Sequence, residues 1–414
     1  HRDLHSFPTR RSSDLIRPYG TDQYKTALGP DESFEKEGFV FVFQDVRGRY
    51  MSGGTYEHMR PHIPQKESNK DIDESSDTYD TIEWLLGHID NHNGKVGQWG
   101  VSYPGFYTSA GAIDSHPALQ AISPQAPIAD WFWDDWRRHG AFILNMSFDF
   151  MYAFIHSSDM LKDNLGQRFP YKTRDGYQFF LDMGPLKNVK EKHFKDEVEF
   201  WDRLAEHPNY DKFWQERNIL PHLKNIKTAV LTVGGWYDTE DLYGPLQTYR
   251  SIETNNPGIF NSLVMGPWSH GGWNSSDGES LGDADFGFKT AQYFHDHIDL
   301  KFFKHFLKDA SDDFHCPEAL VFETGTNRWR EFDSWVPSNV KIKNLYLQDR
   351  QSLSFQQPAE ESTEFDSYVS DPQKPVPYTN DITIKSTAHM TEDQRFASRR
   401  PDVLVYQTGV LDAD

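Results

Sequence analysis

Up to Leu307, short apolar runs alternate with longer amphipathic stretches. Asp31–Glu37 reads as a short acidic helix. Gly38 then opens Phe39-Val40-Phe41-Val42-Phe43, a continuous run of β-formers. Such runs suit a strand covered on both faces, as in a parallel sheet. A helix is expected from Ser75, with Ser75 or Ser76 as N-cap and Asp77 in its first turn. Its apolar face would be Tyr79, Ile82, Leu86 and Ile89. Asn91–Gly94 breaks it. Lys95–Gly100 is short and strand-like, Ser102 follows, and Gly105–Ile113 reads as a helix. The strand pattern resumes at 228–233, ending in Gly234-Gly235, and at 262–266. Thr290–Leu307 is a last amphipathic helix. Strand, helix, strand, sharp turn, helix predicts an α/β fold.

Two regions break this rhythm. Residues 128–222 hold Trp131, Trp133, Trp136, Phe142, Phe148, Phe150, Tyr152 and Phe154 among charges in long helical patterns, which predicts a helical cap. After Cys316 the pattern shortens to alternating runs, among them Ala319–Phe322, Lys343–Leu347 and Val403–Tyr406, separated by Pro, Ser and Asp. That predicts an all-β domain, a sandwich. The expected layout is an α/β core in two parts, 16–127 and 223–312, a cap over 128–222, and a β domain over 313–414. Residues 1–15 (HRDLHSFPTRRSSDL) show neither period nor the apolar stretch of a secretory signal. They read as a non-native start, like translated sequencing-adapter read-through. With a strand-like run close to the other end, the chain reads as a fragment at both ends.

Composition narrows the function. The chain has 414 residues, with 42 Lys+Arg against 63 Asp+Glu, a formal net charge of −21. A surface this acidic repels phosphate backbones and anionic membranes, so neither nucleic acid nor membrane is an expected partner. Aromatic residues make up 15%, which excludes a disordered acidic chain. No run approaches the ~18 apolar residues of a spanning helix. One cysteine, Cys316, excludes an internal disulfide and a Cys-based zinc site.

The chemistry concentrates at three strand ends. Gly100-Val101-Ser102-Tyr103-Pro104-Gly105 lies between a strand and a helix, where a nucleophile elbow would hold a serine on a strained turn. The glycine expected two residues after the serine comes one later, behind Pro104. A serine nucleophile needs a base, and the base an orienting carboxylate. Asp238 follows the strand at 228–233, and His270 follows the strand at 262–266. Their order, Ser then Asp then His, is that of an α/β-hydrolase.

The stretches DVRGRYMSGGTY, GKVGQWGVSYPGFYTSAG, HPALQAISPQAPIADWFWDD, VGGWYDTEDLYGPL and MGPWSHGGW resemble the serine hydrolase family of cocaine esterase and X-Pro dipeptidyl-peptidase. The resemblance is strongest to its α-amino acid ester hydrolases and glutaryl-cephalosporin acylases. It covers about residue 16 to the end. It implies an α/β-hydrolase core, a helical cap and a C-terminal jelly roll. It makes Ser102 the nucleophile, Asp238 the triad acid, His270 the base and the Tyr103 N–H one oxyanion donor. The family's second donor, a tyrosine, would fall near Ser13–Asp14; Tyr19 matches a different tyrosine. An acidic cluster that holds a substrate α-ammonium maps to Glu240, Asp241 and Asp135, with Asp134 as the alternative to the last. Without the family, Glu240 and Asp241 read as caps of the next helix. Arg47 is expected to pair with Asp45 or Asp80.

The resemblance therefore implies a serine hydrolase or acyltransferase acting on small esters or amides of α-amino acids, without metal or organic cofactor. An X-Pro dipeptidyl-peptidase and a plain carboxylic-ester hydrolase are the alternatives. A binding protein that works through its β domain is the non-enzymatic one. Family members imply export, to the periplasm or beyond, and a homo-oligomer.

Overall fold

A computed structural model of the chain describes residues 28–49, 52–154, 169–195, 198–308, 314–358 and 365–411. Expectations that fall on residues 1–15 and on Tyr19 lie outside these.

The centre is a six-stranded sheet whose strand order follows the chain: β1 (Val96–Val101), β2 (Leu119–Gln125), β3 (Ala229–Gly235), β4 (Asn261–Gly266), β5 (Ala319–Glu323) and β6 (Arg328–Phe332). The first five run parallel, and β6 returns antiparallel on β5. β3 and β4 are buried along their whole length, as parallel strands covered on both faces must be. On one face Trp131, Trp136, Phe148 and Trp214, from the segment between β2 and β3, join Ile122 and Val230 in one apolar cluster. On the other, Trp268, Phe294, Phe302 and Leu307 pack on Val101, Leu231 and Val233.

Several expectations are corrected. β5 belongs to the central sheet rather than to the β domain, because Ala319–Val321 pairs in register with Leu263–Met265 of β4. The core therefore extends beyond 312, to about Phe332. β2 was not anticipated, since Ser123, Pro124 and Gln125 interrupt its apolar run. Phe39–Phe43 is not a paired strand. Val40 is 64% exposed, and a cavity of about 320 Å³ separates this segment from β1. Among the described residues no strand lies beyond it to complete the pairing.

The helix read from Ser75 is α1 (Glu74–His88), and Asp73 caps it instead. The Asp73 carboxylate accepts from the Ser76 N–H at 3.0 Å, while Ser76 Oγ accepts from the Asp73 N–H at 3.0 Å. This reciprocal box outcompetes a lone serine cap. The inner face carries Thr78, Thr81, Ile82 and Leu85, which leaves Tyr79 40% exposed. Arg47 pairs with Asp77, one turn into α1, not with Asp45 or Asp80; Arg47 Nε donates to Asp77 Oδ2 at 2.8 Å.

Between β2 and β3 the described residues are mostly helical, with α3 (Leu144–Phe154), α4 (Gly176–Met183) and α5 (Glu199–Glu206) as the main elements; α2 (Tyr103–Gly111) precedes β2. After β6, the described residues form one short ribbon, Tyr346–Gln348 with Ser352–Ser354, a few single helical turns such as Arg395–Ser398, and otherwise irregular chain. No described helix is long and apolar enough to cross a membrane.

Candidate active site

Ser102 stands between β1 and α2 with φ 68° and ψ −126°. A left-handed φ is costly for any residue with a Cβ and is kept only where the surroundings over-determine it. Here the Ser102 N–H donates to Gln125 O at 2.9 Å, and Phe106 N–H closes the first helical bond onto Ser102 O at 3.1 Å. A Cβ on Gly105 would lie 2.7 Å from Gln125 O and 2.8 Å from Pro127 Cα. This close approach, not the position after the serine, is what requires glycine, so Pro104 can occupy the intervening place. Tyr103 opens α2, where backbone N–H groups have no partner within the helix. Its ring is fully buried. The Tyr103 hydroxyl accepts from the Met59 N–H at 2.6 Å and from the Tyr56 hydroxyl at 3.2 Å. The loop after Gly54 therefore fixes the residue next to the serine, which sequence patterning did not reveal.

Asp238 and His270 are brought together by the loops after β3 and β4. Trp236 N–H donates to Gly266 O at 2.8 Å and Tyr237 N–H to Trp268 O at 3.0 Å. A Cβ on Gly235 would sit 2.2 Å from Trp268 O, so only glycine lets the two loops approach this closely. Asp238 Oδ2 then takes His270 Nδ1 at 2.8 Å. Its Oδ1 accepts from the Glu240 and Asp241 N–H groups at 2.8 and 2.9 Å. The imidazole loop meets the serine turn at Gly271, where a Cβ would lie 3.6 Å from Val101 Cγ1.

Asp134 and Asp135 sit on a π-helical turn, Phe132–Trp136, a geometry often found at functional sites. The turn sends the two carboxylates to different partners. Asp134 accepts from the Ala129 and Gly244 N–H groups, at 2.8 and 2.7 Å, and from Asp130 N–H at 3.2 Å. Asp135 Oδ2 and both carboxylate oxygens of Asp241 are buried with no hydrogen-bond partner among the described residues. Glu240 Oε2 lies 3.1 Å from His270 Nε2, within ion-pair reach but not aligned for a hydrogen bond. Asp241 Oδ2 is 3.8 Å from His270 Nδ1. The structure thus gathers Asp238, Glu240, Asp241 and Asp135 about His270.

The electrostatics follow from this crowding. Burial disfavours the imidazolium, but the Asp238 and Glu240 carboxylates outweigh it and hold His270 up to about 9. Burial, with Glu240 beside it, pushes Asp135 up to about 7. Burial and the neighbouring Asp135 and Asp134 raise Asp241 well above the usual carboxylate range. Glu240 resists burial because Lys385 and His270 face it, and its carboxyl is held down to about 2. Lys385 Nζ is 2.5 Å from Glu240 Oε1, and Arg138 Nη2 donates to the Glu240 carbonyl at 3.2 Å. Neither cation was singled out from sequence. Among the described residues no group of His, Cys, Asp and Glu is arranged to hold a metal ion.

The chain is 26% identical over 400 residues to the cocaine esterase of Rhodococcus sp. (strain MB1 Bresler), an alignment covering 91% of this chain and 65% of that one. The crystal structure of an aminopeptidase from a marine sediment Thaumarchaeota archaeon matches with a TM-score of 0.82 and 35% identity, over 91% of this chain and 62% of that chain. An α-amino acid ester hydrolase matches with a TM-score of 0.83 and 33% identity, over 97% of this chain and 67% of that one. The chain thus spans a little under two thirds of the first two relatives. Residues 15–272 match the model of the X-Pro dipeptidyl-peptidase (S15) family, and with more than half of its length in that match the chain belongs to this family.

Proposed function

We propose that the chain is the core of a serine hydrolase that acts on esters or amides of α-amino acids through an acyl-enzyme. Ser102 Oγ attacks the carbonyl carbon while His270 Nε2 takes the hydroxyl proton. Asp238, bonded to Nδ1, holds the ring and stabilises the imidazolium. The Tyr103 N–H faces the developing oxyanion. The tetrahedral intermediate collapses, the leaving alcohol or amine takes the proton from His270, and Ser102 carries the acyl group. Water, or an acceptor amine, then repeats the sequence in reverse.

Asp135, Glu240 and Asp241 receive the substrate's α-ammonium. The observation that carries this is the set of buried, unpartnered oxygens on Asp135 and Asp241 beside His270. A buried carboxylate without a donor is costly, and a bound cation relieves it. The same cation would offset the negative field that keeps His270 protonated and let Nε2 act as base near neutral pH. An X-Pro dipeptidyl-peptidase substrate also presents a free amine, so family membership keeps that reading as the second one.

The β-sandwich read over 313–414 belongs to this proposal for the residues after β6. Ile342 is 94% exposed, Phe365 86% and Val369 77%, apolar surface that a facing sheet would cover.

The test is a pair of esters that differ only in the α-amine. Removing the amine should lower kcat/KM by ~10- to 100-fold, the worth of a charge-assisted hydrogen bond. Equal rates on both would return the chain to a plain ester hydrolase. Faster release from an Xaa-Pro anilide than from a single amino acid anilide would favour the peptidase.

A further inference from the structure

Glu240 is engaged by a lysine that lies 145 positions away along the chain. Lys385 Nζ meets Glu240 Oε1, while the other oxygen of the same carboxylate faces His270. The acyl transfer gives this lysine no direct step, although its charge opposes the hold of Asp238 and Glu240 on the His270 proton. The segment that delivers it is tied down on both sides of the site. Toward the cap, Gly176 N–H donates to Thr383 O at 3.1 Å, Tyr177 hydroxyl to Pro375 O at 2.8 Å, and Asn145 Nδ2 to the Tyr378 hydroxyl at 2.9 Å. Toward the core, Thr391 Oγ1 donates to Leu281 O at 2.9 Å. A Cβ on Gly176 would lie 2.6 Å from Thr383 O, so segment and helix α4 pack without a gap.

We propose that Lys385 sets the selectivity of the site by competition: its ammonium holds, in the empty site, the place at Glu240 that a substrate's α-ammonium takes. This rests on the reading of the carboxylates as an amine subsite. The two cations are chemically alike, each offering N–H donors on a compact positive charge. Lysine suits a reversible contact, because its point charge rides on a flexible stem, whereas arginine would lock a carboxylate in a two-pronged fork. The Lys385 side chain is 31% exposed against 14% for Glu240, so it lies on the solvent side of the pair. Glu240 is then never left as a bare buried anion. Lys385 occupies it before binding and the substrate amine afterwards. The substrate gains what the lysine lacks, contact with the unpartnered oxygens of Asp135 and Asp241.

A competitor that is part of the chain lowers apparent affinity by the fraction of time it leaves the subsite open. Lys385→Met in the full chain should therefore lower KM for an α-amino acid ester by ~3- to 10-fold relative to KM for the ester without the amine, measured side by side. A rise in that ratio or an unchanged ratio, as from an equal shift on both esters, overturns the proposal. A second measurement needs no variant. Trace acetylation followed by peptide mass spectrometry reads the reactivity of Lys385. Phenylalaninol should raise that reactivity several-fold and 3-phenylpropanol should not; no change, or protection by phenylalaninol, contradicts displacement. A parent enzyme with no preference for the amine would remove the subsite reading and this proposal together. A clear preference that Lys385→Met leaves untouched would remove Lys385 alone.

Discussion

The serine side and the carboxylate side of the site are built from neighbouring strand ends but are satisfied in opposite ways. Ser102, Tyr103 and Asp238 sit in closed sets of backbone hydrogen bonds, and Asp134 joins them with N–H donors from three residues. Asp135 and Asp241, also buried, have oxygens that no donor among the described residues satisfies. Saturated groups hold a geometry, and unsatisfied ones are poised for a ligand. Asp134 and Asp135 make the contrast within two adjacent residues of one chemical type.

The largest effect is expected on the saturated side. Ser102→Ala should lower kcat on the order of 10⁶-fold, because the remaining groups cannot act without a nucleophile. Asp238→Asn keeps the shape but puts a donor where an acceptor is needed at Nδ1, for a loss of ~10⁴-fold. Steady-state kinetics on one activated ester measures both.

On the open side the effects should be smaller and selective. Glu240→Gln should cut discrimination for the amine by ~10- to 100-fold, read from the paired esters. It should also move the pH profile. With Glu240 in place, kcat/KM for an ester without the amine should rise with pH through about 9, as His270 loses its proton. Removing the Glu240 charge lowers the His270 pKa, so that limb should shift toward lower pH. A limb that stays in place would mean that Glu240 does not act on His270.

The two adjacent aspartates give the smallest and sharpest comparison. Asp134→Ala orphans buried N–H groups, each costing about 1–3 kcal/mol, and should lower Tm markedly. Asp135→Asn removes a buried charge whose Oδ2 has no hydrogen-bond donor among the described residues, so Tm should hold or rise while KM for the amine ester increases. Equal Tm losses in both would erase the distinction.

What could be read from sequence divides along similar lines. The Ser102 turn was legible because strand, tight turn and helix are local features, and Asp238 and His270 because each closes a buried apolar run. The partner of Arg47 was not, since Asp45, Asp77 and Asp80 are alike in sequence and only packing on α1 selects Asp77. From the residues alone nothing separates Asp135 from Asp134, because the extra residue of a π-turn shifts which side chain faces which way; only the family resemblance put Asp135 first. Phe39–Phe43 has the composition of a strand but no outer neighbour among the described residues. Lys385 carried no signal at all. It lies in irregular chain, and its placement depends on contacts with α4 and Leu281 far away in sequence.

The claim that Ser102 is the nucleophile is open to one direct measurement: reaction of the full chain with a fluorophosphonate, followed by peptide mapping. The account predicts a single adduct on Ser102 that is lost in Ser102→Ala and strongly slowed when His270 is replaced by alanine. An adduct on another serine, or labelling of Ser102 that does not depend on His270, would contradict it.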